Sequence, residues 1–214
     1  MTAKEAERKR MMKSILDIID SPKDLKGLSR PQLKQLCDEI REQLIRRLSE
    51  TGGHVGSNLA MVEATVALHF LFDSPKDQII FDVSHQCYTH KLLTGRRAAY
   101  QNPERYASVS GFTNPAESEH DLFSIGHTST AISLATGLAK ARDVRGETNN
   151  VIAVVGDGAL SGGEAFEGLN TAAVLGSNLI IVVNDNEMSI AEDFGGMYGN
   201  LARLRASNGT AELN

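Results

Sequence analysis

The chain has 214 residues, 41% of them apolar and 23% charged, which suits one globular domain with a sizeable core. Its 22 Lys and Arg against 27 Asp and Glu leave a net charge of -5, so no general basic surface offers itself to nucleic acid or to an anionic membrane. Residues 1–13 are charged, without the apolar stretch of a signal peptide, and no later run approaches the ~20 apolar residues of a membrane span, so the sequence reads as that of a soluble, cytoplasmic protein.

Residues 1–24 read as an N-terminal helical extension and 25–214 as the main domain. Ser29-Arg30-Pro31 marks a helix start, and Leu33, Leu36, Cys37, Ile40, Leu44 and Leu48 follow at helical spacing until Gly52-Gly53. Leu59 to Phe72 is apolar enough for a buried helix, and Gln78 to Val83 for a short strand. Cys37 and Cys87 lack a metal-ligand spacing and read as neutral, buried thiols. Thr94 to His120 is polar and punctuated by Pro103, Gly111 and Pro115, so it predicts a long connection with one short helix.

A strand over Leu122 to Ile125, a turn at Gly126-His127-Thr128 and an Ala-rich helix from Ser129 to Arg142 come next. The unit recurs. Val151 to Val155 leads into Gly156-Asp157-Gly158 and a helix from about Glu164, and Leu179 to Val183 leads into Asn184-Asp185-Asn186. Repeated strand-turn-helix units with doubly apolar strands predict an α/β fold, a mostly parallel sheet with helices on both faces. Ligands of such sheets sit beyond the strand C-termini, where the unusual polar residues of this chain lie.

Gly156-Asp157-Gly158-Ala159 stands where a buried strand hands over to a helix. Its backbone N–H groups can meet a phosphate there, although an ordinary tight turn needs the same residues. Asp157 and Asn186 end neighbouring strands. A carboxylate with an amide oxygen suits magnesium, while an Asx-rich turn accounts for the asparagines alone.

Gly-Asp-Gly followed at this distance by Asn-Asp-Asn resembles the thiamine-diphosphate motif of the transketolase superfamily. Four further segments are similar to those of its 1-deoxy-D-xylulose-5-phosphate synthase family: Gly52-Gly53-His54-Val55-Gly56-Ser57, Asp82-Val83-Ser84-His85-Gln86-Cys87-Tyr88-Thr89-His90-Lys91, Ser124-Ile125-Gly126-His127-Thr128-Ser129-Thr130 and Asn186-Glu187-Met188-Ser189-Ile190. They run in order from about Leu25 to Ile190. The second and fourth distinguish the chain from transketolases and oxo-acid dehydrogenase subunits. Ser84 stands where the family usually has Gly, which narrows the pocket slightly, and Thr128 replaces a common Ser.

The resemblance implies that thiamine diphosphate and magnesium are the cofactors. Asp157, Asn186 and the Met188 carbonyl would bind the metal. His85, Gly126, His127, Thr128, Gly158 and Ala159 would meet the diphosphate, with Asn186 beside it, and His54 would move protons at the reacting centre, for which an imidazole is well suited near neutral pH. The implied reaction joins pyruvate to a sugar phosphate, glyceraldehyde 3-phosphate, with loss of carbon dioxide. In the family a pyrimidine-binding domain supplies a glutamate that activates the aminopyrimidine and arginines for the sugar phosphate, and the sequence reads as holding only the other half of that apparatus. The chain also reads as stopping before the last strand and helix of its own domain. A partner domain in cis or trans and a homodimer follow as expectations. Other readings are a subunit of a split transketolase and a non-catalytic interaction module.

Overall fold

The computed structural model describes residues 14–185, 196, 198, 199 and 203, so the expected ligands Asn186 and Met188 lie outside the described residues. Helix α1 spans Arg30–Thr51. Its start is fixed by a capping box, with the Ser29 N–H and hydroxyl donating to Gln32 Oε1 at 2.9 and 2.7 Å, and by Pro31 in the first turn. The stripe Leu36, Cys37, Ile40, Leu44 and Leu48 is buried as its spacing predicts.

The segment read as one helix from Leu59 is two, α2 over Val55–Ala60 and α3 over Val62–Leu71. The break falls at Met61, whose φ of -99° and ψ of 5° leave the helical region. Its side chain is buried in the core, and its N–H closes a tight turn on the Asn58 carbonyl at 3.3 Å. Next come β1 over Gln78–Phe81, α4 over Tyr88–Lys91 and α5 over Ala98–Gln101. The connection holds more regular structure than the one helix expected, since a 3-10 turn over Pro103–Ser108 follows α5. The chain continues with α6 over Ala131–Arg145, β2 over Val151–Gly156, α7 over Asp157–Leu160, α8 over Gly163–Leu175 and β3 over Ile180–Asn184.

Among the described residues the sheet is parallel in the order β1-β2-β3, with Ile79 opposite Ile152 and Ala153 opposite Ile181. The alternation of side chains along a strand divides the core in two. Ile79, Phe81, Ile152 and Val154 pack with α1 and α3, while Ile80, Val151, Ala153 and Val155 pack with Ala131, Ile132, Ala135 and Ala139 of α6 and Ala165 of α8. Helices therefore cover both faces, as expected. The described part of the N-terminal segment forms two 3-10 turns, Leu16–Ile18 and Pro22–Leu25. Ile15, Leu16, Ile19 and Leu25 belong to the first core cluster, and Arg97 Nη1 donates to the Leu16 and Ile19 carbonyls at 2.5 and 2.9 Å.

Leu122 to Ile125 is not a strand. Side chains take its carbonyls in place of a ladder, Thr113 Oγ1 donating to Phe123 O at 2.8 Å and Ser84 Oγ to Ile125 O at 2.9 Å. Both cysteines are buried, and burial pushes the Cys37 thiol up to about 11 and the Cys87 thiol up to about 12. They are neutral, as expected.

A buried polar network pins the long connection to the core. The Asp121 carboxylate receives Arg96 Nη1 at 2.6 Å and Nη2 at 2.9 Å, the Asn114 N–H at 2.8 Å and His90 Nε2 at 2.8 Å. Since that carboxylate only accepts, His90 Nε2 carries the proton and Nδ1 accepts from His69 Nε2 at 2.9 Å. Both imidazoles are thus held neutral, and burial, the main cause, lowers both below the ordinary histidine value. Burial pushes the Asp121 carboxyl up, but the His90 and Arg96 hydrogen bonds outweigh it and hold it well below the usual carboxylate range.

A base with a depressed folded pKa contributes stability above its unfolded pKa of about 6.5, and that stability is lost progressively as the pH falls below it. Urea unfolding should therefore give a free energy that drops from pH 7.5 to 5.5, with His69 alone contributing up to about 1.4 kcal/mol over that range. His69→Gln, which removes one titrating ring, should have the shallower slope.

Candidate functional site

The first strand ends in a buried acid. Asp82 follows β1, and its carboxylate accepts the Ser129 N–H at 2.8 Å and the Ala131 N–H at 2.9 Å, the amides that open α6. Burial pushes the Asp82 carboxyl up and exceeds the lowering by these amides. Val83 and Ser84 then adopt φ of 57° and 67°. The left-handed region is costly for a β-branched valine, and it explains why glycine suits the Ser84 position. The serine is held by its hydroxyl, which donates to Ile125 O and accepts the Thr113 N–H at 3.0 Å. Its side chain is buried in that junction, so the expectation that Ser84 narrows a ligand pocket is corrected: the hydroxyl joins two loops.

The turn delivers His85 beside His54. Their ring centroids are 5.2 Å apart at an interplanar angle of 72°, and Phe112 stands 5.7 Å from His54. His54 precedes α2, is exposed, and places Nδ1 3.3 Å from the Tyr88 hydroxyl. Burial and then the charge of His54 lower the His85 pKa, so it stands neutral at pH 7. His85 Nδ1 is buried and has no hydrogen-bond partner among the described residues. Asn58 Nδ2 joins the two segments by donating to the His54 and His85 carbonyls at 2.7 and 2.8 Å.

Gly126, His127 and Thr128 are exposed at the end of the Ile125 segment, with His127 Nδ1 donating to the Thr128 carbonyl at 2.7 Å. Ser129 has a φ of 73° and donates its hydroxyl to Ala159 O at 2.7 Å, tying this loop to the end of β2. There Asp157 is buried, and Oδ1 accepts the Gly158 N–H at 2.9 Å, so a phosphate at Gly158 must share or displace that bond. Gly156 pairs with Asn184, which brings Asp157 and Asp185 level at the ends of β2 and β3. Among the described residues no three His, Cys, Asp or Glu gather as a metal group. The expected ligand set contains one such side chain, Asp157.

Three hydrogen bonds thus string the expected residues along one rim: Asn58 to His85, Ser84 to Ile125, and Ser129 to Ala159. Asn58, Asp82 and Ser129 had no individual role in the sequence reading, and neither did Gly162. An added Cβ at Gly162 would lie 2.0 Å from Ser129 Oγ and 2.7 Å from Ser129 Cβ. Gly162→Ala should therefore cost about 1–3 kcal/mol of stability by overpacking. Adding Ser129→Gly, at a φ that glycine adopts freely, removes the clash but also the bond to Ala159 O, so it should return only part of that loss. Denaturant unfolding of the two variants checks both effects.

The family model described as 1-deoxy-D-xylulose-5-phosphate synthase matches residues 16–214. The 1-deoxy-D-xylulose-5-phosphate synthase of Syntrophomonas wolfei is 53% identical over 91% of this chain and 30% of its own length. That of Desulfitobacterium hafniense is 54% identical over 89% of this chain and 30% of its own length. The Geobacter metallireducens protein named 1-deoxy-D-xylulose-5-phosphate synthase 1 is 53% identical over 92% of this chain and 31% of its own length. The chain therefore spans about 30% of the length of these curated relatives. With a parallel α/β sheet whose strand ends carry the expected motifs, and with this match along nearly all its residues, the chain belongs to the 1-deoxy-D-xylulose-5-phosphate synthase family.

Proposed function

We propose that the chain is the diphosphate-binding part of a thiamine-diphosphate-dependent transferase that joins pyruvate to glyceraldehyde 3-phosphate with loss of carbon dioxide. The observation that carries this reading is the rim itself, where hydrogen bonds hold His54, His85, Gly126 to Thr128 and Asp157 to Ala159 on adjoining loops in a chain of this family. The residues fit a bound diphosphate. The buried His85 Nδ1, which has no hydrogen-bond partner among the described residues, is a polar group that an anion would satisfy, Gly126 to Thr128 leave their segment exposed, and Asp157 is a hard oxygen donor for magnesium.

In this reading His85, Gly126, His127, Thr128, Gly158 and Ala159 hold the diphosphate, and Asp157 binds magnesium together with Asn186 and the Met188 carbonyl. Thiamine diphosphate, when bound, supplies the carbon nucleophile. His54 holds or moves a proton at the reacting centre, with the Phe112 ring packed beside it. Neutral His85 can donate a single N–H to the diphosphate, and the anion would in turn raise its pKa. A pyrimidine-binding domain, in cis or in trans, completes the site by activating the cofactor and reading the sugar phosphate. A homodimer is proposed as well; the exposed Phe166 and Val174 on α8 leave apolar surface for such contacts.

Titration calorimetry should show thiamine diphosphate binding that requires magnesium. Asp157→Ala should weaken it by at least tenfold, since one charge-assisted metal contact represents more than about 1.4 kcal/mol. Equal heats for wild type and Asp157→Ala would refute the assignment. With the pyrimidine-binding domain present, pyruvate and glyceraldehyde 3-phosphate should yield the ketose phosphate and carbon dioxide.

A further inference from the structure

Asn58 is fully buried, and it is the one buried residue of α2. A six-residue helix with an otherwise exposed or half-buried surface has little apolar area to fix its place, so its polar bonds decide where it sits. Asn58 engages three backbone groups. Nδ2 donates to His54 O at 2.7 Å and to His85 O at 2.8 Å, and Oδ1 accepts the Tyr88 N–H at 2.9 Å. The amide has one workable orientation. Flipped, it would set its NH2 against the Tyr88 N–H and its oxygen against two carbonyls.

One rigid group thereby holds the segment that opens α2, the turn after β1 and the start of α4. These carry His54, His85 and Tyr88, and the Tyr88 hydroxyl in turn faces His54 Nδ1 at 3.3 Å. The His54 ring packs against the rings of His85, Tyr88 and Phe112.

We propose that Asn58 is a positioning residue whose carboxamide sets the separation of the His54 and His85 imidazoles. The consequence for the cofactor, that a proton-transferring ring is held at a fixed place relative to a diphosphate on His85, rests on the function proposed above. The spacing of the rings does not.

The test uses the 214-residue chain with labelled histidines and compares two ring-to-ring nuclear Overhauser cross-peaks. One joins His54 to His85, with centroids 5.2 Å apart, and the other joins His69 to His90 in the core, 5.1 Å apart. Asn58→Ala should lose the first and keep the second. Where Asn58→Ala loses both, Asn58→Ser is read the same way, since it adds no volume and retains a donor for one carbonyl. A His54–His85 cross-peak of wild-type intensity, in a variant that keeps the His69–His90 peak, overturns the proposal.

Calorimetry with thiamine diphosphate and magnesium reads the consequence, and Asn58→Ala should weaken binding roughly tenfold, about the loss of one hydrogen bond to a charged group. Unchanged affinity with the cross-peak lost would refute the link to binding. Absence of binding in the wild type would refute the proposed function while leaving the ring-to-ring result to decide on Asn58.

Discussion

The rim depends on a carboxylate buried where the first strand stops. Asp82 has no exposed surface, and an uncompensated buried carboxylate would cost several kcal/mol, so the two amides it receives from the start of α6 are obligatory partners. That requirement fixes the loop before α6 against the end of β1. With Ser129 held by its N–H, its hydroxyl reaches the Ala159 carbonyl and links the end of β1 to the segment after β2 through that loop. The acid stands 47 residues from one partner amide and 49 from the other, so a single side chain closes long stretches of chain.

This kind of dependence marks the boundary of what can be read in sequence. The strands are legible because β2 is apolar on both faces, and α1 because a capping box and a 3.6-residue stripe announce it. The break at Met61 is not legible, since Leu59 to Phe72 is apolar on both sides of it and carries no Gly or Pro to mark a stop. Nor is the loss of the strand at Leu122 to Ile125. Its composition suits a strand, and the hydroxyls of Ser84 and Thr113 that occupy its carbonyls are distant in the chain.

The same division runs through the candidate site. Residues expected to touch a ligand stand in Gly- and Asx-rich motifs at strand ends, where local sequence carries the signal. The side chains that align those motifs, Asn58, Asp82 and Ser129, bond to backbone atoms, which have no identity in a sequence. Gly162 is of this class too, because its lack of a side chain matters only for the Ser129 hydroxyl 33 positions earlier. Ser84 shows how the two levels interact. Its position asks for glycine by φ, and a serine is accommodated because its hydroxyl satisfies a carbonyl on one side and an amide on the other.

The histidines show why an unpartnered nitrogen carries meaning only in context. His69 and His85 each leave Nδ1 buried without a hydrogen-bond partner among the described residues. For His69 the cause is internal. Asp121 accepts from His90, His90 must then accept from His69, and the chain of donations leaves one bare lone pair at its far end, deep in the core. No comparable chain accounts for His85. Its ring is half-buried and edge-on to an exposed imidazole, and it follows a turn joined to the loop of Gly126. The His85 ring lies at the edge of the rim, whereas the lone pair on His69 is the end of a closed network within the core. Burial lowers the pKa of both rings, yet the shift stabilises a neutral core in one case and leaves a neutral donor at a rim in the other.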